Sequence, residues 1–294
     1  MSISLDGRVA IITGAGGGLG RCHALALAER GAKVVVNDLG DGAGAVAEEI
    51  RAAGGEAMAI QGSVTDYDAV KAMVDEAMNT WGRVDILINN AGILRDKTFA
   101  KMDVEEFRLV LEVHLMGAVN CTKAVWDIMR EQQYGRIIMT TSSSGLYGNF
   151  GQSNYGAAKM ALVGFMQTLS LEGAKFDIRV NSLAPTAATQ MTQDILPQEI
   201  LDKLSPESVS PAVVFLASED APTRTIIGAG AGSFEAAHIT LTQGIHLGAG
   251  PDVADQLAVR FDEVRNRDNG EIVPESGAAQ GQLELTKLQA ANQG

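Results

Sequence analysis

The 294-residue chain predicts a doubly wound α/β fold, a parallel sheet covered by helices on both faces. Short runs rich in Val and Ile alternate with longer helical patterns along most of its length. The runs are continuously apolar, which marks strands buried on both sides. Residues with chemistry to offer fall just after the carboxyl ends of these runs, where such sheets bind their ligands.

Residues 8–12 form the first strand, and a glycine-rich turn over 13–20 joins it to a helix over 19–30. The second strand, 33–37, ends at Asp38. Residues 42–53 are helical and 56–60 are the third strand. Asp66 caps a helix over 66–80. The fourth strand is 84–88, followed by one long helix over 103–131, and the fifth is 136–139. Tyr155 lies near the start of a helix that runs to Lys175, and 178–183 is the sixth strand. The stretch 184–204 is rich in Thr, Gln and Pro and reads as loop with short helices. A Ser205-Pro206-Glu207 start opens a helix to 218. Residues 225–245 are glycine-rich with strand character at Ile227, and 252–267 is an amphipathic helix. The expectation is a catalytic domain over 1–250 on a seven-stranded parallel sheet. Residues 251–294 extend it, packed on it or on a partner subunit.

Hydrophobic residues are 46% and charged residues 20%, as in ordinary globular proteins. The net charge of −13 argues against nucleic acid and anionic membranes as partners. Cys22 and Cys121 have no metal or redox spacing and sit in apolar segments, so buried free thiols are expected. No secretory leader pattern and no membrane-spanning run is visible, and a cytoplasmic location is the expectation. The sequence carries no phosphate-binding Gly-Lys-Ser/Thr, no His-Glu-x-x-His and no Gly-x-Ser-x-Gly. His23, His238 and His246 read as structural, and no metal site is expected.

The turn Thr13-Gly14-Ala15-Gly16-Gly17-Gly18-Leu19-Gly20 lets backbone approach a pyrophosphate closely and opens a helix whose N-terminus favours anions. Its spacing is Gly-x-x-x-Gly-x-Gly. Asp38, eighteen residues beyond Gly20, can accept both hydroxyls of an adenosine ribose. It would repel a 2′-phosphate and no arginine stands beside it, which favours NAD over NADP. Asn90, in Asn89-Asn90-Ala91-Gly92 after the fourth strand, can line a bound dinucleotide.

Tyr155 and Lys159 are one helical turn apart, with Ser142 thirteen residues upstream of Tyr155. An ammonium beside a phenol favours the phenolate, and Ser142 can hold a substrate oxygen. The set can move a proton on or off an alcohol oxygen.

Taken together, the glycine turn, Asn89–Gly92, Ser142, Tyr155 and Lys159 resemble the short-chain dehydrogenase/reductase family over roughly residues 5–250. The resemblance implies a Rossmann-type domain that moves a hydride between a nicotinamide and an alcohol carbon. It makes Tyr155 the general acid/base and Lys159 its modulator, which also holds the nicotinamide ribose. It makes Ser142 the substrate anchor and places Gly14, Gly18, Leu19, Gly20, Asp38, Ser63, Val64, Asn90, Tyr155, Lys159 and Pro185 at the cofactor. Ser63 stands where the family usually has Asp. His114 stands in the catalytic position of an asparagine that props a proton-relay water, and Ala184-Pro185-Thr186 replaces the usual Pro-Gly. Those departures, with the stretches 92–97, 134–140 and 145–152, resemble the (3R)-hydroxyacyl-CoA dehydrogenase unit of the type 2 multifunctional enzymes. The implied reaction is NAD-dependent oxidation of (3R)-3-hydroxyacyl-CoA, fatty or steroid side-chain, to 3-oxoacyl-CoA. The alternatives are a dehydrogenase of a free steroid ring alcohol and a silent NAD-binding scaffold. Arg95, Lys97 and Lys101 could meet CoA phosphates. Leu146, Tyr147 and Phe150 could line an acyl pocket or pack in the core. A homodimer or homotetramer is expected through the helices over 103–131 and 155–175.

Overall fold

The computed structural model describes residues 2–188, 198–201 and 203–292. Strand β1 (Val9–Ile12) is wholly buried. It lies between β2 (Lys33–Asp38) and β4 (Ile86–Asn89), with Ile12 opposite both Val36 and Ile88. β3 (Ala57–Gln61), β5 (Gly135–Thr140), β6 (Ile178–Thr186) and β7 (Ile226–Gly230) complete the parallel set. The sheet order is β3-β2-β1-β4-β5-β6-β7-β8. The chain winds outward from β1 to β3, then returns to the other side of β1 at β4. The connections leaving β1 and β4 therefore diverge and open a crevice at the carboxyl edge.

Helices α1 (Gly18–Ala28), α2 (Gly42–Ala52) and α3 (Tyr67–Trp81) connect the first strands, as the apolar spacing requires. Asp66 caps α3, accepting from the amides of Asp68 and Ala69. Leu27, Val34, Val36, Val46, Ile50 and Ile88 join one buried core. α7 (Ser153–Gly173) packs on β5 and β6, and its buried face includes Lys159 among apolar neighbours.

Three expectations are corrected. The sheet has eight strands: after β7 the chain reverses through Ala231 and Gly232 into β8 (Ser233–Ala237). Both turn residues have positive φ, 49° and 77°, the geometry of a tight hairpin. The single helix expected over 103–131 is α4 (Val104–Leu111) and α5 (Gly117–Gln132), joined by a π-helical turn over Glu112–Met116. Helical periodicity continues through such a turn, so the pattern hides it. The helix expected over 252–267 divides at Arg260 into α10 (Val253–Val259) and α11 (Phe261–Val264). Of the loop expected over 184–204, residues 189–197 lie outside the described residues.

Among the described residues the first unit also holds α8 (Gln198–Leu201) and α9 (Ser210–Ala217). The chain divides into two compact units, Met1–Ala236 and Ala237–Gly294. The second holds an antiparallel pair, β9 (Leu241–Thr242) with β10 (Glu271–Ile272), then α12 (Gly277–Ala291). Cys22 and Cys121 are buried free thiols, as expected. Among the described residues no helix is long and apolar enough to cross a membrane.

Candidate active site

The turn after β1 is held by β4. Thr13 Oγ1 accepts from the amides of Asn90 (3.0 Å) and Ala91 (3.1 Å). Asn90 Nδ2 donates to the carbonyls of Thr13 (2.9 Å) and Gly14 (3.0 Å). Asn90 therefore acts on the turn, fixing its shape. Gly14 and Gly18 have φ of 62° and 52°, which side chains rarely adopt. A Cβ on Gly14 would lie 2.8 Å from Ala91 Cα, and one on Gly20 would lie 2.2 Å from Gly14 O. This bare backbone, opening into the N-terminus of α1, forms a cradle that fits a pyrophosphate.

A crevice of about 400 Å³ runs from this cradle. Its walls include Gly14, Gly18, Leu19, Gly20, Asp38, Ser63, Val64 and Asn90, which brings eight of the eleven sequence-derived cofactor residues to one place. Pro185 and the Tyr155–Lys159 pair are not in its wall. Pro185 sits in β6 opposite Ala229. Asp38 Oδ2 accepts from Gly16 N (2.8 Å) and Oδ1 from Gly40 N (2.9 Å). Each oxygen keeps a further lone pair for a ribose hydroxyl. Among the described residues no arginine or lysine lines this wall, so a phosphate here would meet Asp38 without a cation. Ser63 bonds Thr65, and Val64 O accepts from Asn120 Nδ2 at 2.9 Å.

Ser142 follows β5 by two residues and caps a short helix, α6 (Ser143–Tyr147), accepting from Ser144 N at 3.2 Å. Tyr155 lies in the first turn of α7, close enough to Ser142 for that hydroxyl to act on its phenol. Lys159 is buried one turn on, its Nζ donating to Thr140 O at 2.6 Å and lying 5.4 Å from the Tyr155 ring centre. The structure thus brings Ser142, Tyr155 and Lys159 together. Their electrostatics depart from the sequence reading in one respect. Burial pushes the Tyr155 phenol above its ordinary pKa, the Ser142 hydrogen bond opposes this, and the charge of Asp96 adds to it. Burial also brings the Lys159 ammonium down to about 7. Burial thus disfavours the charged form of both members of the pair.

His114 stands on the π-helical turn and is buried. Its Nε2 lies 2.8 Å from Ile93 O and 3.0 Å from Ile93 N, and its ring meets Tyr155 edge-on at 5.2 Å. Burial, then the charge of Lys159, brings its pKa down to about 3, against a smaller raising effect of the Ile93 backbone. The ring is neutral, and Nδ1 has no hydrogen-bond partner among the described residues. A Cβ on Gly92 would lie 2.2 Å from His114 Cε1. His114 therefore links Gly92 and Ile93, which line the crevice, to Tyr155.

The segment after β4 carries the basic residues considered for CoA phosphates. Lys97 Nζ is paired with Glu106 at 2.8 Å. Arg95 and Lys101 are exposed. Tyr147 and Phe150 are 76% and 89% exposed, which removes core packing as their explanation.

The sequence reading missed the support given by Thr13 and the Gly92–His114 contact. It also missed a polar seam in which Gln152 joins Asp96. The residues were visible, but each pairing spans 22 positions or more and exists only once β4, β5 and α7 are side by side.

A glycine cradle, a carboxylate at the end of β2 and a Ser/Tyr/Lys set on one sheet edge define a dinucleotide-dependent oxidoreductase. The short chain dehydrogenase family model matches residues 8–200. The chain belongs to the short-chain dehydrogenase/reductase family and is a nicotinamide-dependent dehydrogenase/reductase. A short-chain type dehydrogenase/reductase of Mycobacterium tuberculosis is 48% identical over 276 residues, covering 90% of this chain and 96% of that protein. The peroxisomal multifunctional enzyme type 2 of Drosophila melanogaster is 52% identical over 224 residues, 73% of this chain and 37% of that protein. Its full-length structure matches with a TM-score of 0.82 at 37% identity, over 97% of this chain and 50% of that one. This chain thus spans half or less of that relative's length. A 7α-hydroxysteroid dehydrogenase complexed with NADH and 7-oxo glycochenodeoxycholic acid matches with a TM-score of 0.73 at 31% identity, covering 78% and 95%.

Proposed function

We propose that the protein oxidises the hydroxyl of a (3R)-3-hydroxyacyl-CoA, with a fatty or steroid side-chain acyl group, to the 3-oxo compound with NAD. The observation that carries the reading is the Ser142–Tyr155–Lys159 set, joined through His114 to the crevice bearing Asp38. Likeness to the fly multifunctional enzyme supports the acyl-CoA class.

Gly14, Gly18, Leu19 and Gly20 would hold the pyrophosphate and Asp38 the adenosine ribose. Ser63 and Val64 would flank the adenine, with Asn90 keeping the cradle in shape and Pro185 bordering the nicotinamide side. Tyr155 and Lys159 would hold the second ribose. The bound nicotinamide supplies the acceptor for the hydride on the alcohol carbon. Ser142 orients the substrate oxygen, and Tyr155 as phenolate takes its proton. Lys159 stabilises that phenolate, and a phenolate beside it raises the lysine's own pKa in return. In ketone reduction the same Tyr155 returns the proton. His114, neutral and fixed by Ile93, would border the proton path at its unpartnered Nδ1.

A second reading is a hydroxysteroid dehydrogenase, supported by the likeness to the 7α enzyme and by Tyr147 and Phe150, exposed at and just beyond the end of α6, the helix that Ser142 caps. The intact Ser/Tyr/Lys set weighs against a silent scaffold. Assembly as a homo-oligomer through α4–α5 and α7 is supported by Leu109, Met160 and Leu171, apolar and exposed on those helices. NAD reduction measured across 3-hydroxyacyl-CoAs and free hydroxysteroids tests these readings. Turnover confined to the thioesters is expected; turnover confined to the steroids contradicts the first reading, and none at all contradicts both.

A further inference from the structure

A polar seam joins residues 95–97 to residues 144–154. Gln152, just before α7, donates from Nε2 to Asp96 Oδ2 at 2.6 Å. Its Oε1 accepts from Ser144 Oγ (2.8 Å) and Asn149 Nδ2 (3.1 Å), which fixes the amide's orientation. Lys97 N donates to Gly151 O at 2.9 Å, and Asn154 Nδ2 to Arg95 O at 2.9 Å. Asn154 Oδ1 accepts from Tyr155 N at 2.7 Å. These bonds pin Asp96 beside the first turn of α7, the turn that carries Tyr155. The N-terminus of a 21-residue helix favours an anion there.

Among the described residues no cation pairs with Asp96. Lys97 is held by Glu106, and Arg95 folds its guanidinium onto Leu94 O at 2.7 Å. The charge of Asp96 is therefore not cancelled, and Tyr155 feels it: among the groups that shift the phenol, Asp96 is the charge that opposes phenolate.

We propose that Asp96 is a specificity determinant: its carboxylate, pinned by Gln152 beside Tyr155, disfavours alcohols bearing a free carboxylate near the reacting carbon and so selects the thioester over the 3-hydroxy acid. The inference rests on the dehydrogenase reading above. In a 3-hydroxy acid the carboxylate is two bonds from the alcohol carbon. With the hydroxyl held by Ser142 and Tyr155, that anion would stand in the field of Asp96, and like charges repel. The thioester presents the same skeleton without the charge. The phosphates of CoA lie many bonds further out, beyond a Debye length of about 10 Å at 0.1 M salt.

The test uses the full chain with NAD and compares (3R)-3-hydroxyhexanoyl-CoA with (3R)-3-hydroxyhexanoate. The quantity read is the acid-to-thioester ratio of kcat/KM, from which any change common to both substrates cancels. Asp96→Asn keeps an acceptor for Gln152 and removes the charge; its ratio should rise about tenfold, while Asp96→Glu keeps a low ratio. Because Asp96 is exposed, raising salt from 0.05 to 0.5 M should raise the wild-type ratio, and this measurement stands even where a variant fails to fold. A ratio unchanged in Asp96→Asn and unmoved by salt overturns the Asp96 inference while thioester turnover persists. No turnover of either substrate by the wild type overturns the dehydrogenase reading itself.

Discussion

Lowering the pH from 7.5 to 5 should destabilise the fold by about 4 kcal/mol through two buried histidines. His23 is fully buried, with Nδ1 2.9 Å from Ser210 Oγ and Nε2 unpartnered among the described residues. Burial brings its pKa down to about 3, and burial with the Lys159 charge does the same to His114. An unfolded histidine titrates near 6.5. The folded pKa is the depressed one, so the stability is complete above about pH 6.5 and is lost as pH falls toward about 3. At pH 5 the unfolded rings are charged and the folded ones are not, a gap of about 1.5 pH units worth about 2 kcal/mol per ring. Lys159 adds little over this interval, because its penalty is nearly complete by pH 7.5. Urea unfolding at fixed protein concentration reads the loss as a lower midpoint at pH 5. His23→Leu should remove about half of the pH difference, whatever it does to stability at pH 7.5. Equal midpoints at the two pH values, or an NMR titration of His114 near 6.5 in the native protein, would refute the argument. The latter would also return His114 to the set of groups able to exchange protons at neutral pH, which a pKa of about 3 does not allow.

Asp38→Ala removes the acceptor of the Gly16 and Gly40 amides. It should weaken NADH binding by about 1.5–3 kcal/mol and narrow the preference over NADPH; tight NADPH binding by the unaltered protein contradicts the assignment. Gly92→Ala places a methyl 2.2 Å from His114 Cε1 and should cost about 1–3 kcal/mol. Adding His114→Ala to it should recover much of that loss, whereas additive losses would show that the two do not press on each other. His114→Asn should alter kcat more than NADH affinity, because the ring meets Tyr155; unchanged kinetics and pH profile would show that the imidazole has no special part. The rate of alcohol oxidation should climb with pH above neutrality, since burial raises Tyr155. A pH-independent rate from 7 to 10 would contradict phenolate as the base.

Much of this site is legible in the amino-acid sequence, for a definite reason. Glycine turns, strand-terminal Asp38 and the Tyr155–Lys159 spacing are local patterns, and a parallel sheet places everything after a strand on one edge. The crevice gathers the expected pyrophosphate, ribose and adenine residues, while Pro185 and the Tyr155–Lys159 pair stand outside its wall. What periodicity could not reveal is where a pattern is kept while the geometry changes. The π-helical turn at Glu112–Met116 preserves an apolar face yet sets His114 against Ile93 and Tyr155. β8 escaped because its exposed residues carry no strand signature beyond the Ala231-Gly232 reversal. The balance of charge was also hidden: a tyrosine and a lysine one turn apart suggest mutual stabilisation, but burial disfavours the charged form of each.

The central claim is that Tyr155 moves the proton, and Tyr155→Phe tests it with the ring retained and the hydroxyl removed. NAD reduction with a 3-hydroxyacyl-CoA should fall by about a thousandfold or more, while NADH affinity stays within about threefold of the wild type. A variant that binds NADH normally and still oxidises the alcohol at a rate near that of the wild type would contradict the account.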